Sequence, residues 1–378
     1  MPRFLHTADW QIGRQYSRFA AEDASALTEA RIATVERLAQ LARDENVDAV
    51  LVAGDVFDAQ TVSDRTIRRL FNALAPFSGP WVMIPGNHDA ALAESVWSRA
   101  RRLAAIPANV HLVEESGIVA LSELNCAVLA APLTQRHTYG DLSDWFDTAE
   151  TEPGWLRIGL AHGSVQGILA DDIDSPNPIA ADRAAAARLD YFALGDWHGA
   201  KRIDERTWYS GTPEQDRFKD NGAGQVLLVD IDAPGAVPQV TVHALGQHSW
   251  QQWQVSLRVA SDLEQLIDRL DALPPQSVLD LRIAGQLDMQ SHEQLEEALS
   301  VAEARHRAFT VDLGQLHLEP TEDDIAALHA DGFVGEVLAE LRLMQQGEKG
   351  EIARDALVIL TGMLRDAGPR EHVLGDAP

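Results

Sequence analysis

Short apolar runs alternate with longer stretches whose apolar residues recur at helical spacing through the first half of the chain. Arg3–Ala8, Ala49–Ala53, Trp81–Ile84, Ala127–Ala131, Arg157–Ala161 and Tyr191–Leu194 read as buried strands. Between the first three of these, Leu27, Ile32, Val35, Leu38 and Ala42 mark one amphipathic helix, and Ile67, Leu70, Phe71 and Leu74 mark a second. Strand and helix in repetition is the pattern of an α/β fold whose sheet is covered by helices. Gln225–Ile231 and Gln239–Leu245 read as a hairpin across a Pro/Gly turn.

The pattern changes after Ser249. Gln254–Val259, Val278–Ala284 and Thr310–Leu318 read as strands separated by helices at Asp262–Leu273 and His292–Arg307, which makes a small βαβαβ unit. From Thr321 onward only helices are legible. Thr321 with Asp324 is a capping-box-like start, and Phe333, Val337, Leu341 and Met344 form one apolar stripe. The expected division is therefore a large domain over 1–249, a small α/β domain over 250–319 and a helical region over 320–378.

Composition adds three constraints. Hydrophobic residues make up 46% of the 378 positions, so the chain can build a sizeable core. The single Cys126 excludes an intrachain disulfide and a thiolate cluster, so any metal must be held by imidazole and oxygen ligands. Met1-Pro2-Arg3 leads straight into a strand, and no apolar run is long enough to span a bilayer, which predicts a cytoplasmic protein without a membrane segment. The formal charge of -27 argues against strong unaided affinity for nucleic acid. From Gln251 onward 24 acidic residues face only 10 basic ones.

Five polar motifs each follow a predicted strand: Asp9-Trp10-Gln11, Gly54-Asp55-Val56-Phe57-Asp58, Gly86-Asn87-His88-Asp89, Ala161-His162-Gly163 and Gly195-Asp196-Trp197-His198. Any one alone reads equally well as a turn. Five in succession, each joining a strand end to carboxylate, amide or imidazole, point to a site at the C-terminal edge of the sheet, where α/β folds bind ligands.

In this order the motifs resemble those of calcineurin-like metallophosphoesterases. Leu5-His6-Thr7-Ala8-Asp9-Trp10, Gly54-Asp55-Val56-Phe57-Asp58, Tyr191-Phe192-Ala193-Leu194-Gly195 and Tyr209-Ser210-Gly211-Thr212-Pro213-Glu214 are similar to the SbcD family of DNA repair exonucleases. The resemblance covers about residues 3–245 and implies a calcineurin-like sandwich, with the small α/β unit in the place of that family's capping domain. It implies two divalent metal ions, manganese foremost, with magnesium, iron or zinc as alternatives. Asp9, Gln11, Asp55 and His198 would hold one ion, and Asp55, Asn87, His162 and Asp196 the other, with Asp55 as the bridge. His88 would contact the scissile phosphate and assist the leaving group, oriented by Asp89. Gln11 and Asp196 stand where that family usually has histidine, which predicts a weaker first site and a second site hardened toward oxygen-preferring ions.

The implied function is hydrolysis of DNA phosphodiesters by a metal-activated water. A large coiled-coil ATPase is the implied partner, and such a partner or a second copy of the chain would supply the missing positive charge. Two readings compete with it: a phosphodiesterase or nucleotidase for small substrates, and a non-catalytic scaffold for the ATPase. Arg14, Arg18, Arg65, Arg68, Arg69, Arg136, His137, Arg202 and Arg217 lie near the motifs and read either as a nucleic-acid path or as solvated surface. Trp10 and Trp197 read as packing, and His6, His111, His243, His248, His292, His306, His317, His329 and His372 as structural or exposed.

Overall fold

The computed structural model describes residues 1–168, 177–318, 333–347 and 349–366. They divide into two compact units, Met1–Trp250 and Gln251–Pro378. Thr321, Asp324, His329 and His372 lie outside the described residues.

The first unit is built on two six-stranded sheets. One runs in the order Gln239–Ala244, Gln225–Asp230, Arg3–Thr7, Ala49–Ala53, Trp81–Ile84, Val110–Leu112; the other in the order Lys201–Arg202, Thr207–Tyr209, Tyr191–Gly195, Leu156–His162, Cys126–Ala131, Gly117–Leu121. The central strands of each are parallel; antiparallel pairs close both ends of the second sheet and one end of the first, whose other end is the parallel pair Trp81–Ile84 with Val110–Leu112. Because side chains alternate along a strand, each strand feeds two cores. Phe4, Leu51 and Val82 meet Val128, Ile158, Leu160 and Tyr191 between the sheets, with Cys126 buried among them. On the opposite face of the first sheet, Leu5, Val50 and Val52 pack with Val35, Leu38, Ile67 and Leu70. The far side of the second sheet brings Leu129 and Leu194 against Phe146, Ala184 and Ala187.

Both helices the spacing predicts cover the first sheet, and a third that it does not, Val96–Arg102, adds Val96, Trp97 and Ala100 to the same core. Ala21–Asp44 buries Leu27, Val35, Leu38 and Ala42, and Asp64–Ala73 starts at Ser63, whose hydroxyl accepts from the Thr66 amide at 3.1 Å. The strands absent from the periodicity in these two sheets are Val110–Leu112, Gly117–Leu121, Lys201–Arg202 and Thr207–Tyr209, all short and at or next to a sheet edge; Ser164–Val165 and Pro178–Ile179, also absent from it, pair in a two-stranded sheet of their own. Edge strands bury one face or less, so their apolar signal is weak.

In the second unit Trp250–Leu257, Val278–Leu287 and Ala308–Leu318 form a three-stranded sheet, and Ala260–Ala272 and Met289–Arg305 pack Leu263, Leu266, Leu270, Leu295 and Leu299 onto it. The middle strand runs to Leu287, past its sequence pattern, and its pairing with Ala308–Leu318 takes up one extra partner residue between Asp312 and Gln315. Helices Phe333–Met344 and Gly350–Asp366 follow. Leu338, Ala353 and Leu357 are buried, whereas Phe333 and Met344 of the apolar stripe are exposed. The architecture is thus an α/β sandwich with a small α/β unit and C-terminal helices. Among the described residues no helix is long and apolar enough to cross a membrane.

Candidate metal centre

The parallel strands end side by side, and the motif residues leave from those ends. Asp9 follows Arg3–Thr7, Asp55 follows Ala49–Ala53, and Asn87 to Asp89 follow Trp81–Ile84. His162 closes Leu156–His162, and Asp196 and His198 follow Tyr191–Gly195. The loops are tied to one another: the Asp9 amide donates to the Gly54 carbonyl at 3.0 Å, and the Gln11 amide to that of Asp55 at 2.9 Å. The main chain is strained here. Among the described residues eight non-glycine positions have positive φ, and four are Asp9 (54°), Gln11 (43°), Asp55 (53°) and Asp196 (105°). Each such residue costs on the order of 1–3 kcal/mol, so their gathering at one place marks a site rather than a set of turns. Gly54, at φ 87°, lets the imidazole of His162 approach where a Cβ would sit 2.4 Å from Nδ1, and a Cβ on Gly195 would lie 1.9 Å from the Ala53 carbonyl.

Ligand atoms of Asp9, Asp55 and His162 lie within 4.8 Å of one another, all buried. His162 donates from Nδ1 to the Ala53 carbonyl at 2.8 Å, so its Nε2 lone pair faces the cluster, 3.7 Å from Asp55 and 3.8 Å from Asp196. The Asn87 amide reaches the same point. With its nitrogen turned inward it donates to His162 Nε2 at 2.9 Å and to the Asp55 carboxylate at 3.1 and 3.2 Å; with Oδ1 inward, that oxygen faces Nε2 at 2.9 Å. In the second orientation two lone pairs face each other, as adjacent ligands of one cation do. Charge agrees with geometry. Burial opposes an imidazolium, yet Asp55, Asp196 and Asp9 together push His162 up to about 9, and burial pushes Asp9 up to about 6. A pocket of three carboxylates that draws a proton onto a fully buried imidazole draws a divalent cation by the same field. These residues fit a metal.

Gln11 and His198 are arranged differently. His198 pairs through Nδ1 with Asp216 at 3.1 Å, as metal-bound histidines do with their carboxylate supports, and its Nε2 lies 3.2 Å from the Gln11 amide nitrogen. Gln11 turns Oε1 away, to Arg14 Nη1 at 2.6 Å, and presents nitrogen to the cluster, 3.5 Å from Asp55. Arg217 Nη2 lies 2.8 Å from His198 Nδ1 and 3.3 Å from Nε2.

The expected orientation of His88 by Asp89 is not what the structure holds. His88 Nδ1 donates to the main-chain carbonyl of Asp58 at 2.8 Å, and its Nε2 lies 4.0 Å from Asp55. Asp89 is fully buried, with one oxygen taken by the Gly86 amide at 2.7 Å and the other by the Phe57 amide at 3.0 Å. It braces two motif loops, and that satisfies its acceptors before His88 can reach them.

Three supports carried no role in the sequence. Asp216 was one; Arg31 and Glu214 are the others. Arg31, 1% exposed, donates to the carbonyls of Trp10 (2.6 Å), Asp9 (3.1 Å) and Glu214 (3.2 Å) and to Thr212 Oγ1 (2.9 Å). Glu214 takes the Thr34 hydroxyl at 2.5 Å. The legible signal was Arg31 itself, a charge midway between Leu27 and Val35 in a buried stripe. Of the motif-adjacent arginines, Arg69 is paired with Glu29, Arg18 lies over the rings of Phe19 and Phe218, and Arg202 lies over Trp208. Trp10 is core, donating to Thr7 at 2.8 Å. Trp197 is half-buried and holds Lys201 and Lys219 over its ring at 5.2 and 4.9 Å.

A model of the calcineurin-like phosphoesterase family matches residues 2–198. Similar proteins include the SbcD chain of the SbcCD nuclease of Bacillus subtilis (strain 168), 26% identical over 343 residues that cover 78% of this chain and 83% of that one. Its counterpart in the SbcCD nuclease of Rhodobacter capsulatus is 42% identical over 94 residues, 24% of this chain and 22% of its own. The DNA double-strand break repair protein Mre11 of Aeropyrum pernix is 28% identical over 256 residues, covering 62% and 59%.

Proposed function

The chain belongs to the calcineurin-like phosphoesterase family, metal-using hydrolases of phosphodiester bonds, and from that premise we propose that it is a DNA repair nuclease of SbcD type. The observation that carries this reading is the convergence of Asp9, Asp55, Asn87, His162 and Asp196 at the strand ends. Bound there, a divalent cation supplies a Lewis acid and lowers the pKa of a water that attacks phosphorus. An oxygen-rich set with one imidazole suits manganese, with magnesium, iron and zinc as poorer fits. His88, whose Nδ1 donates to the Asp58 carbonyl, turns Nε2 toward the cluster, where it can contact the scissile phosphate and assist the leaving oxygen. His162 is held in one tautomer by the Ala53 carbonyl, so its Nε2 stays available as a ligand. Asp89 and Arg31 keep the strained loops in place.

A polyanionic substrate is supported by the cations gathered beside these loops. Lys201 and Lys219 are two of three lysines in the chain, and both sit on Trp197, between Asp196 and His198. The net charge of -27 still opposes binding of long DNA by this chain alone. We therefore assign the remaining affinity to a coiled-coil ATPase partner. Exposed Phe333, Leu343, Ile352 and Ile359 on the C-terminal helices support a protein contact there.

The test is a manganese-dependent assay of the full chain on single-stranded, duplex and hairpin DNA beside a nitrophenyl phosphodiester. Cleavage of DNA supports the reading. Turnover of the small ester with none of DNA, with or without an added ATPase partner, would favour a small-molecule phosphodiesterase.

A further inference from the structure

The family resemblance implies two ion positions, and the side chains do not serve them equally. On one side ligand atoms of Asp9, Asp55 and His162 lie within 4.8 Å of one another, with Asp196 3.8 Å from His162 Nε2 and the Asn87 amide, which no arginine holds, free to set Oδ1 2.9 Å from the same nitrogen. On the other, the only oxygen Gln11 can offer is occupied by Arg14 at 2.6 Å, and its amide hydrogens face His198 Nε2 and the Asp55 carboxylate. An amide nitrogen has no lone pair to give a cation. Rotating the amide by half a turn sets its NH2 against the Arg14 guanidinium, donor against donor.

Arg14 is not a loose side chain that steps aside. The same Nη1 lies 3.5 Å from Asp58 and 3.4 Å from Asp216. Asp216 is buried and its carboxylate also takes His198 Nδ1 at 3.1 Å. Arg217 approaches His198 from the other direction at 2.8 Å and reaches Asp216 through Nε at 3.1 Å. One permanent positive charge thus stands against each of the two neutral ligands expected for the first ion, Arg14 on Gln11 and Arg217 on His198.

We propose that this chain has a one-metal centre, in which the Asp55, Asn87, His162 and Asp196 half takes the divalent cation and the guanidinium groups of Arg14 and Arg217 replace the second cation beside Gln11 and His198. The inference rests on the metallophosphoesterase reading and narrows it. In this arrangement Gln11 is a hydrogen-bond donor to His198 and Asp55 rather than a ligand. Guanidinium N–H groups provide directed donors for phosphate oxygens, a role a second cation fills elsewhere by charge.

The experiment is metal stoichiometry of the full-length protein, reconstituted with manganese, cleared of loose ion by gel filtration and read by elemental analysis, with electron paramagnetic resonance on the same sample. One manganese per chain and an uncoupled six-line spectrum are expected. Two per chain with an exchange-coupled spectrum overturns the inference and leaves the metallophosphoesterase reading standing; none overturns both. A Gln11→His, Arg14→Ala double variant tests the cause. Its stoichiometry should rise from one to two with appearance of coupling, whereas a value that stays at one shows that Arg14 and Gln11 are not what excludes the second ion.

Discussion

The main-chain carbonyl of Asp58 holds Nδ1 of His88 at 2.8 Å and so leaves Nε2 as the ring atom that faces the Asp55 carboxylate. The side chain is thereby aimed without using a ligand of the cluster. Replacing His88 by Ala is expected to keep metal content unchanged while lowering phosphodiester hydrolysis by about 100-fold or more, the size of a lost general acid. Joint loss of metal and activity in that variant would remove His88 from this role.

Arg31 acts through the main chain of the first motif. Its guanidinium joins the carbonyls of Asp9 and Trp10 to Thr212 and Glu214, nearly 200 residues on, and all of it is buried. Arg31→Met keeps volume and removes the donors, and should cost about 3 kcal/mol of stability by urea denaturation, with weaker manganese retention by the folded variant. A loss under about 1 kcal/mol with unchanged retention would mean that the turn holds itself.

Lys201 and Lys219 should bind substrate phosphates rather than stabilise the fold, because neither makes an ion pair among the described residues and both ammonium groups rest on Trp197. Changing both to Gln is expected to raise KM for DNA severalfold with little change in kcat. The slope of log affinity against log salt should shallow by about one to two. An unchanged salt slope would count against phosphate contact.

His6 gives the chain an acid-sensitive core. It is fully buried between the sheets, accepts from the Tyr191 hydroxyl at 2.8 Å and donates to the Leu194 carbonyl at 3.1 Å, and burial lowers it from 6.5 to about 3. Between those two values the unfolded chain binds a proton that the folded chain refuses. Stability is therefore present in full above about 6.5 and falls as pH drops toward 3, by up to about 1.4 kcal/mol per unit. His6→Gln should flatten that slope in denaturation measured from pH 7 to 4; an unaltered slope would place the sensitivity elsewhere.

Much of the site was legible because its chemistry is local. A strand end, a Gly-Asp step and a histidine are neighbours in sequence, and parallel pairing of Arg3–Thr7, Ala49–Ala53 and Trp81–Ile84 carries their ends to one edge without further information. Alternating and helical periodicity likewise sufficed for the central strands and the covering helices, since those elements bury a full face. It failed at the edge strand Gly117–Leu121, which is only partly buried, and at Thr207–Tyr209, which is too short to show a period.

What the sequence alone determined about this protein is which donors meet: Asp9, Asp55, Asn87, His162, Asp196 and His198 at the ends of a sandwich of two sheets. Tertiary structure decided how each is presented. Gln11 turns its nitrogen inward because Arg14, three residues away, is held by Asp216 some two hundred residues later. Asp89 braces loops instead of His88 because two main-chain amides from separate motifs converge on it. A side chain's type is written in the chain, but the face it shows depends on which hydrogen-bond partners folding brings within about 3 Å, and those come from anywhere in the sequence.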